Sequence, residues 1–225
     1  MTGWGLAYEL RIWFESEMAR ADSVLPDFSF ELAAKALGHS LVCGIDEAGR
    51  GPWAGPVVAA AVILDPRNIP PGLNDSKKLN DVRREELFGK IMASAKVGVG
   101  IGDEHRIDRD NILAATLWAM AEAVRGLPCM PDFALVDGNR APALSCPVQT
   151  LVSGDARSLS IAAASIIAKV TRDRIMIKLD QEFPAYGFAR HKGYGTAAHQ
   201  AALQRAGACI HHRKSFAPIA ALLAR

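Results

Sequence analysis

Residues 41–64 read LVCGIDEAGRGPWAGPVVAAAVIL, two apolar segments joined by a turn rich in glycine and proline. Apolar runs of this length, bounded by turn residues and rich in valine, are typical of buried β-strands. The sequence therefore predicts strands at 41–46 and 56–64 with a tight turn between them. The first strand ends on Asp46 and Glu47, so two carboxyl groups are expected at the margin of a sheet.

The remainder of the chain alternates further strands with helices. Strands are predicted at 96–102, 133–137 and 147–155, and helices at 81–95 (with Asn80 as N-cap), 105–127, 158–183, 196–206 and 217–224. Grouped strands with helices inserted between them indicate an α/β fold, a mixed β-sheet flanked by helices with a C-terminal helical segment. Half of the 225 residues are hydrophobic, which is ample material for the core of such a domain.

The first forty residues differ in character from the rest. Residues 1–40 are predicted to form an N-terminal extension, and residues 41–225 the main domain. Trp4, Leu10 and Phe14 favour a short amphipathic helix within the extension. The sequence leaves open whether the extension packs on the main domain or is a partly mobile arm.

Carboxyl groups follow three of the predicted strands. Asp137 ends the strand at 133–137, and Asp155 ends the segment 147–155. Together with Asp46 and Glu47 they make four acids at the ends of predicted strands. Ligand sites of α/β sheets lie at such strand ends. Clustered carboxylates must raise their pKa values or share cations, and hard divalent ions accept oxygen ligands. The four acids therefore predict a metal site, and two ions in such a site suit phosphodiester chemistry.

One geometric difficulty concerns Asp46 and Glu47. Adjacent residues of an extended strand point to opposite faces, so the two side chains do not converge while the strand continues. Either the chain turns at once, as Gly49 and Gly51 suggest, or Glu47 contributes through its backbone carbonyl or a water molecule. Both alternatives remain open from the sequence.

The segment from Gly49 to Ala54 formally fits the dinucleotide-binding pattern G-x-G-x-x-A. That pattern requires a helix after the glycines, whereas Pro52, Pro56 and a valine-rich run follow here. The better interpretation is a turn without side chains at Gly49 and Gly51. Such a turn lets the backbone approach a nucleic-acid strand, and Arg50 can contact phosphate.

Charge, cysteines and apolar runs bound the remaining function classes. Residues 157–225 carry eleven Lys/Arg against three Asp/Glu, which suits either a basic face for phosphates or solvated helices. The four cysteines form no C-x-x-C pair, and free thiols fit a cytoplasmic protein. No apolar run has the length of a bilayer span, and no signal peptide is recognisable. The run 211–214, HHRK, matches no zinc pattern and is interpreted as a basic patch or a helix terminus.

Five sequence blocks, in order, resemble the type 2 ribonuclease H family, specifically bacterial ribonuclease HII. They cover the chain from about Leu41 to about Phe216, and Trp53, where a smaller aliphatic residue is expected, is a mild departure. The blocks are GIDEAGRGPWAGPVVAAAVIL (44–64), LNDSKKL (73–79), DGNR (137–140), GDARSLSIAAASIIAKVTRDR (154–174) and YGFARHKGYGT (186–196).

The resemblance implies a fold, an activity and a set of site residues. The fold is a ribonuclease H-like mixed sheet flanked by helices, and the activity is endonucleolytic cleavage of RNA in RNA/DNA duplexes. The implied catalytic and metal-binding residues are Asp46, Glu47, Asp137 and Asp155, with two Mg²⁺ or Mn²⁺ ions in the substrate complex. Cleavage at single ribonucleotides in duplex DNA, giving 5′-phosphate and 3′-hydroxyl ends, is also implied.

Substrate recognition is expected at other positions. By resemblance, Gly49, Arg50 and Gly51 contact ribose 2′-hydroxyls, which distinguish RNA from DNA, and Tyr194 meets the RNA–DNA junction. Phosphate contact is expected for Lys77 or Lys78. Lys169, Arg172 and Arg174 lie on the long helix, and of these Lys169, in an otherwise apolar face, is expected to snorkel toward the site and contact the substrate.

Three functional hypotheses follow from these residues. The first is a monomeric hybrid-cutting endonuclease. The second is a non-catalytic binder of hybrids, which four acids facing phosphates argue against. The third is a nucleotide-cofactor oxidoreductase, which would need the G-x-G-x-x-A pattern.

Overall fold

A computed structural model of the protein describes residues 25–224. Two 3₁₀ turns, at Ser76–Lys78 and Gly154–Ala156, accompany the regular elements. The strands are β1 (Val42–Ala48), β2 (Val57–Ile63), β3 (Lys96–Gly102), β4 (Phe133–Asp137) and β5 (Val148–Leu151). The α-helices are α1 (Ser29–Ala36), α2 (Asp81–Ser94), α3 (Glu104–Asp110), α4 (Ile112–Arg125), α5 (Leu159–Glu182), α6 (Phe188–His191), α7 (Ala197–Ala206) and α8 (Ala217–Leu223).

The strands form one mixed sheet in the order β3-β2-β1-β4-β5. The central strand β1 runs antiparallel to β2 and parallel to β4, and β4 runs parallel to β5. In the pairing of β1 with β4, Ile45 stands opposite Val136, so Asp46 and Asp137 follow at the same edge of the sheet. The predicted mixed sheet with flanking helices is confirmed.

Strand β2 shows how the sheet is covered. All of its residues are buried, and alternate side chains face opposite sides of the sheet. Ala59 and Ala61 pack in the cluster that contains α4, whereas Ala60 and Val62 pack in the cluster that contains α5. Helices therefore cover both faces, which explains why this strand is a continuous apolar run.

The prediction of one continuous helix at 105–127 is wrong. The structure has two helices there, α3 ending at Asp110 and α4 beginning at Ile112. Asn111 between them has φ of 70°, and its side-chain oxygen accepts hydrogen bonds from the N–H groups of Leu113 and Ala114. Asparagine tolerates this left-handed conformation and caps the following helix, so the chain changes direction without an unpaired helix start.

Helix α1 packs on the body of the protein. Phe30 is buried in a cluster with Leu135, Leu151 and Ile161, which come from β4, β5 and α5. Residues 29–36 therefore share the core of the main domain, although the predicted extension ends at residue 40. The amphipathic helix predicted around Trp4 lies outside the described residues.

Glu31 attaches α1 to the start of α5. Its carboxylate is fully buried and accepts hydrogen bonds from the Ser158 hydroxyl at 2.7 Å and the Ser160 N–H at 2.8 Å. Burial raises the pKa of Glu31, and these hydrogen bonds limit the rise. Because Ser158 is the N-cap of α5, this contact fixes the helix that follows Asp155.

Replacement of Glu31 by alanine is expected to destabilise the protein by about 2 kcal/mol more than replacement by glutamine, because alanine leaves the Ser158 hydroxyl and the Ser160 N–H buried without an acceptor. Glutamine keeps an acceptor oxygen at the same place. Urea denaturation of both variants at neutral pH measures the difference. Equal stability of the two variants would show that the hydrogen bonds of Glu31 do not hold α1 in place.

Two global features concern the cysteines and the helices. Cys43, Cys129, Cys146 and Cys209 are all free thiols, as expected from their spacing. Within residues 25–224, none of the helices combines the length and the apolar character that crossing a membrane requires.

Candidate functional site

The four predicted acids lie at one edge of the sheet. Asp46 is near the end of β1, and Asp137 is the last residue of the neighbouring strand β4. Asp155 follows β5 in the 3₁₀ turn Gly154–Ala156 and is 5% exposed, while Asp46 is 4% exposed. The parallel run of β1, β4 and β5 brings these strand ends to the same edge, as the sequence predicts.

Backbone N–H groups orient two of the carboxylates. Asp46 Oδ1 accepts a hydrogen bond of 2.7 Å from the N–H of Glu47. Asp137 Oδ1 accepts one of 2.7 Å from the N–H of Gly154, the residue before Asp155. This second bond ties the turn that carries Asp155 to the end of β4.

The electrostatics of the cluster are strongly repulsive. Burial, and then the charges of Glu47, Asp137 and Asp155, raise the pKa of Asp46. Burial and the Asp137 charge raise the pKa of Asp155 to about 6. Burial also raises the pKa of Glu47, and the neighbouring Arg50 limits that rise. The four carboxyl groups therefore repel one another electrostatically when they are ionised, and a cation bound among them would relieve this repulsion.

Two basic side chains stand beside the cluster. Lys77 Nζ lies 3.7 Å from Asp155 Oδ2, and Arg50 Nη1 lies 3.5 Å from Glu47 Oε1. Within residues 25–224, no group of three His, Cys, Asp or Glu side chains stands in an arrangement ready to hold a metal ion. The donor chemistry nevertheless fits hard divalent cations, because every candidate ligand is a carboxylate oxygen and the acids repel one another.

The structure rules out one of the two alternatives for Asp46 and Glu47. Strand β1 continues through Ala48, and the turn begins only at Gly49, so the chain does not turn directly after Glu47. Glu47 remains close enough to Asp46 for its charge to raise the pKa of Asp46. Asp46 and Glu47 therefore both lie on an extended strand, and the charge of Glu47 acts on Asp46 from the adjacent position.

The glycine turn excludes a side chain at Gly49 but not at Gly51. Gly49 has φ of 97°, and a Cβ at this position would stand 2.0 Å from Arg172 Nε. Gly51 has room for a Cβ, and the nearest atom to that position is Tyr194 Cε1 at 3.6 Å. The turn leads into β2 rather than a helix, which confirms the rejection of the dinucleotide pattern.

The predicted basic contacts have different surroundings. Lys77 and Lys78 lie in the 3₁₀ turn beside Asp155, and both are exposed. Lys169 Nζ instead donates to Asp173 Oδ1 at 2.8 Å, one turn further along α5. Arg174 Nη2 lies 2.5 Å from Glu85 Oε2. The structure thus brings Lys77 to the carboxylates, pairs Lys169 with an acid of its own helix, and pairs Arg174 with an acid of α2.

The prediction of a basic patch or helix terminus at residues 211–214 is wrong. His212 and Arg213 are fully buried, and the segment precedes α8 without belonging to it. His212 Nδ1 accepts the N–H of Cys209, so its Nε2–H donates to His199 Nε2 at 3.0 Å. His199 Nδ1–H then donates to the Tyr194 carbonyl at 3.0 Å, which connects this buried chain to the loop beside the glycine turn.

This histidine chain predicts a pH effect on stability. Burial and the neighbouring His199 lower the pKa of His212 to about 4, below the ordinary value of 6.5. Between these two values the unfolded state binds a proton that the folded state does not, so stability is full above pH 6.5 and falls as the pH decreases toward 4. The expected loss is on the order of 3 kcal/mol from His212.

The measurement needs a difference between two proteins, because the raised pKa values of Glu31 and Asp155 favour the folded state over part of the same range. Urea denaturation of the wild type and of His212→Gln, at pH 7 and pH 4.5 in EDTA, cancels these carboxyl contributions. We expect the wild type to lose more stability than the variant. Parallel losses in the two proteins would refute the assignment to His212.

The sequence did not indicate the observed positions of two arginines. The sequence places Arg172 on the long helix without a role and indicates a basic patch for Arg213, yet both are buried beneath the glycine turn. Each donates to backbone carbonyl groups of residues 49–56. The apolar surroundings of Arg172 on α5 were the available signal; nothing in the sequence near Arg213 indicated burial.

The sequence of this chain matches known proteins of one family. The family described as ribonuclease HII matches residues 43–219. The ribonuclease HII of Xanthobacter autotrophicus is 58% identical over 193 residues, which are 86% of this chain and 78% of that protein. The ribonuclease HII of Azorhizobium caulinodans is 59% identical over 205 residues, 90% of this chain and 79% of that protein.

Solved structures agree with the sequence relatives. The ribonuclease H2 of Pyrococcus horikoshii superposes with a TM-score of 0.70 at 27% identity, over 81% of this chain and 97% of that one. Bst-RNase HIII in complex with Mn²⁺ has a TM-score of 0.60 at 24% identity, over 86% of this chain and 72% of that one, a likeness of fold.

Proposed function

Because the chain belongs to the ribonuclease HII family, and is therefore a divalent-metal-dependent endonuclease of RNA/DNA hybrids, we propose that it also cuts at single ribonucleotides embedded in duplex DNA. One observation carries the proposal. Arg50, in the centre of the exposed glycine turn, lies 3.5 Å from Glu47 of the carboxylate cluster. The glycine turn, which can recognise a single ribose, thus borders the carboxylates, which are suited to cleaving the phosphodiester next to that ribose. A substrate with one ribonucleotide therefore suffices, and a long hybrid is not required.

The proposed metal ligands are Asp46, Glu47, Asp137 and Asp155. Two Mg²⁺ or Mn²⁺ ions, when bound, would activate a water molecule and stabilise the leaving oxygen, giving 5′-phosphate and 3′-hydroxyl ends. Asp46 is the best candidate for a shared ligand, since it is the acid on which the other three act. The N–H groups of Glu47 and Gly154 hold Asp46 and Asp137 in a defined orientation before any ion arrives.

The proposed ribose contacts are Gly49, Arg50 and Gly51, with Tyr194 beside them. The positive φ of Gly49 and the exposure of Arg50 and Gly51 support close approach of a nucleic-acid backbone. Tyr194 is 47% exposed and lies against Gly51, so its ring can stack on the sugar or base next to the ribose.

Phosphate contact is proposed for three lysines on different grounds. Lys77 is exposed and lies 3.7 Å from Asp155, where a phosphate would compete with the carboxylate for its charge, and Lys78 is the next exposed residue of the same turn. Lys169 would have to leave Asp173 to reach a substrate, so it has the weakest support of the three. A contact of this kind strengthens binding without distinguishing sequences.

The proposed organisation is a monomeric catalytic domain. Its core includes α1, so we place the start of the catalytic unit near residue 27, with residues before it as the extension. The four free thiols suit the reducing cytoplasm, which we propose as its location.

The test uses three duplexes of one sequence: all DNA, DNA with a single ribonucleotide, and an RNA/DNA hybrid. In Mg²⁺ or Mn²⁺ we expect cleavage of the second and third duplexes, with the 5′-phosphate at the new end, and no cleavage in EDTA. Failure to cut the single-ribonucleotide duplex would reject embedded-ribonucleotide cleavage. Binding without cutting in either metal would favour the hybrid-binding alternative.

A further inference from the structure

Two fully buried arginines lie beneath the glycine turn. Arg172 is 1% exposed and Arg213 is 0% exposed. Among residues 25–224, neither forms a salt bridge with a carboxylate, and all of their recorded hydrogen bonds go to backbone carbonyl oxygens. Burying a cation without a carboxylate partner is costly, so the arrangement needs a reason beyond packing.

Arg213 collects the carbonyl groups of the turn itself. Its Nη2 donates to the carbonyl of Gly49 at 2.5 Å, its Nη1 to that of Arg50 at 2.9 Å, and its Nε to that of Gly55 at 2.9 Å. The planar guanidinium presents its five donors in a fixed fork, so three carbonyl groups held by one side chain have little freedom to rotate. The ring of Phe216 lies 5.1 Å from the guanidinium carbon and restricts it further.

Arg172 supports the same segment from α5. Its Nε donates to the carbonyl of Pro56 and its Nη2 to that of Ala54, at 2.9 and 3.2 Å. Its Nη1 donates to the carbonyl of Lys192 at 3.1 Å, two residues before Tyr194. The side chain therefore joins the glycine turn to the loop that carries Tyr194.

The direction of these carbonyl groups fixes the direction of the amides that follow. In a trans peptide, the C=O of one residue and the N–H of the next point to opposite sides of the same plane. The carbonyls of Gly49 and Arg50 point inward to Arg213, so the N–H groups of Arg50 and Gly51 point outward. In the described part of the chain neither N–H has a hydrogen-bond partner, and both residues are exposed.

We propose that Arg213 is a positioning residue that directs the N–H groups of Arg50 and Gly51 toward the ribose 2′-hydroxyl, with Arg172 as its support. This inference rests on the proposed function, because it explains how the glycine turn distinguishes ribose from deoxyribose. A 2′-hydroxyl can accept from these amides, whereas a deoxyribose leaves them without a partner. Arg213 acts through the backbone and does not itself touch the substrate.

Protonation of Arg213 is secure at neutral pH. Burial and the neighbouring Arg172 lower the pKa of Arg213 to about 9, which still leaves the guanidinium charged. All its donors therefore remain available to the carbonyl groups. The positive charge also lies directly behind the turn, where it favours an approaching phosphate.

The test measures discrimination between sugars in Arg213→Lys. Lysine keeps the charge but cannot hold three carbonyl groups in one plane. Both proteins carry Asp46→Asn to prevent cleavage, and fluorescence anisotropy in Mg²⁺ gives Kd for an all-DNA duplex and for the same duplex with one ribonucleotide. We expect the ratio of the two Kd values to fall by about tenfold in Arg213→Lys, since two amide hydrogen bonds lose their alignment. The Kd for all-DNA duplex is expected to change by less than about threefold.

Ile91→Ala is the matched control for lost stability. Ile91 is fully buried on α2, in a cluster that contains none of residues 49–56 and not Tyr194. Its truncation lowers the melting temperature, but the Kd ratio is expected to stay at the parent value. A decline of the ratio in this control as large as in Arg213→Lys would reduce the role of Arg213 to stability and overturn the proposal.

Arg172→Lys provides a second variant if Arg213→Lys fails to fold. It removes part of the support, and we expect the same ratio to fall by about threefold. Suppose that the Asp46→Asn protein prefers the ribonucleotide duplex and that the folded arginine variants keep the same ratio of Kd values. That result overturns the proposal and leaves the proposed function intact. If the Asp46→Asn protein shows no preference for the ribonucleotide duplex, and the wild type cuts neither ribose-containing duplex, the proposed function itself is wrong.

Discussion

Asp46→Asn is expected to lower the rate of RNA/DNA hybrid cleavage by about 10³-fold or more, because several kcal/mol of metal-dependent charge stabilisation is lost. Asp46 is buried at the end of β1, and its pKa is raised by burial and by the other three acids, so it lies at the electrical centre of the cluster. Asparagine keeps the size of the side chain and removes its charge. Cleavage under single-turnover conditions in saturating Mg²⁺ measures the loss.

The thermal stability of the same variant separates catalysis from folding. Removing one charge relieves repulsion, so the melting temperature in EDTA is expected to equal or exceed that of the wild type. Added Mn²⁺ should raise the melting temperature of the wild type and have a smaller effect on the variant, since ligands stabilise the state that binds them. Glu182→Gln, at an exposed acid in the last turn of α5, is the control and should leave both measurements unchanged. Cleavage at the wild-type rate by Asp46→Asn would remove this residue from the metal ligands.

Gly44→Ala is expected to destabilise the protein by about 4 kcal/mol or more, the range reserved for severe overpacking. A Cβ on Gly44 would lie 2.1 Å from the carbonyl carbon of Ser160 and 2.3 Å from the nitrogen of Ile161. These are backbone atoms at the start of α5, and they cannot move as a side chain could. Because Asp46 lies on the same strand, separation of β1 from α5 would also widen the acidic site. Soluble yield and urea denaturation measure the effect.

Gly89→Ala is the matched control for the loss of a glycine. Gly89 lies within α2, and a Cβ there meets no atom within 4 Å. Alanine is expected to stabilise the protein by about 0.5–1 kcal/mol, because it lowers the entropy lost on helix formation. A mild effect of Gly44→Ala, comparable in size with this control, would show that β1 and α5 can separate without cost.

The sheet was predictable because its signals are local. The strands around Ile45 and Val62 are runs of buried aliphatic residues, and the turn between them contains glycine and proline at fixed positions. The division of the predicted helix at Asn111 was not predictable from periodicity. Helix-favouring residues lie on both sides of it, and the left-handed conformation of Asn111 depends on where α3 and α4 pack.

The acids of the site were predictable because each one ends a recognisable apolar segment. Their partners were harder to predict. Arg213 occurs in a run of basic residues, which is usually exposed, and the carbonyl groups that it binds are 158 to 164 positions away in the chain. Such a burial site exists only after the whole chain has folded, so no local pattern could indicate it.

The central position of β1 has a kinetic consequence for synthesis of the protein. Strands β1, β2 and β3 pair with neighbours close in sequence, but β1 finds its parallel partner only when Phe133 and the residues after it are available. Pairings across such sequence separations give a high contact order and slow folding. We expect a growing chain on the ribosome to hold the β1–β3 meander with one edge open. Asp46 and Asp137 then meet only when β4 joins β1, so their repulsion does not oppose formation of the meander.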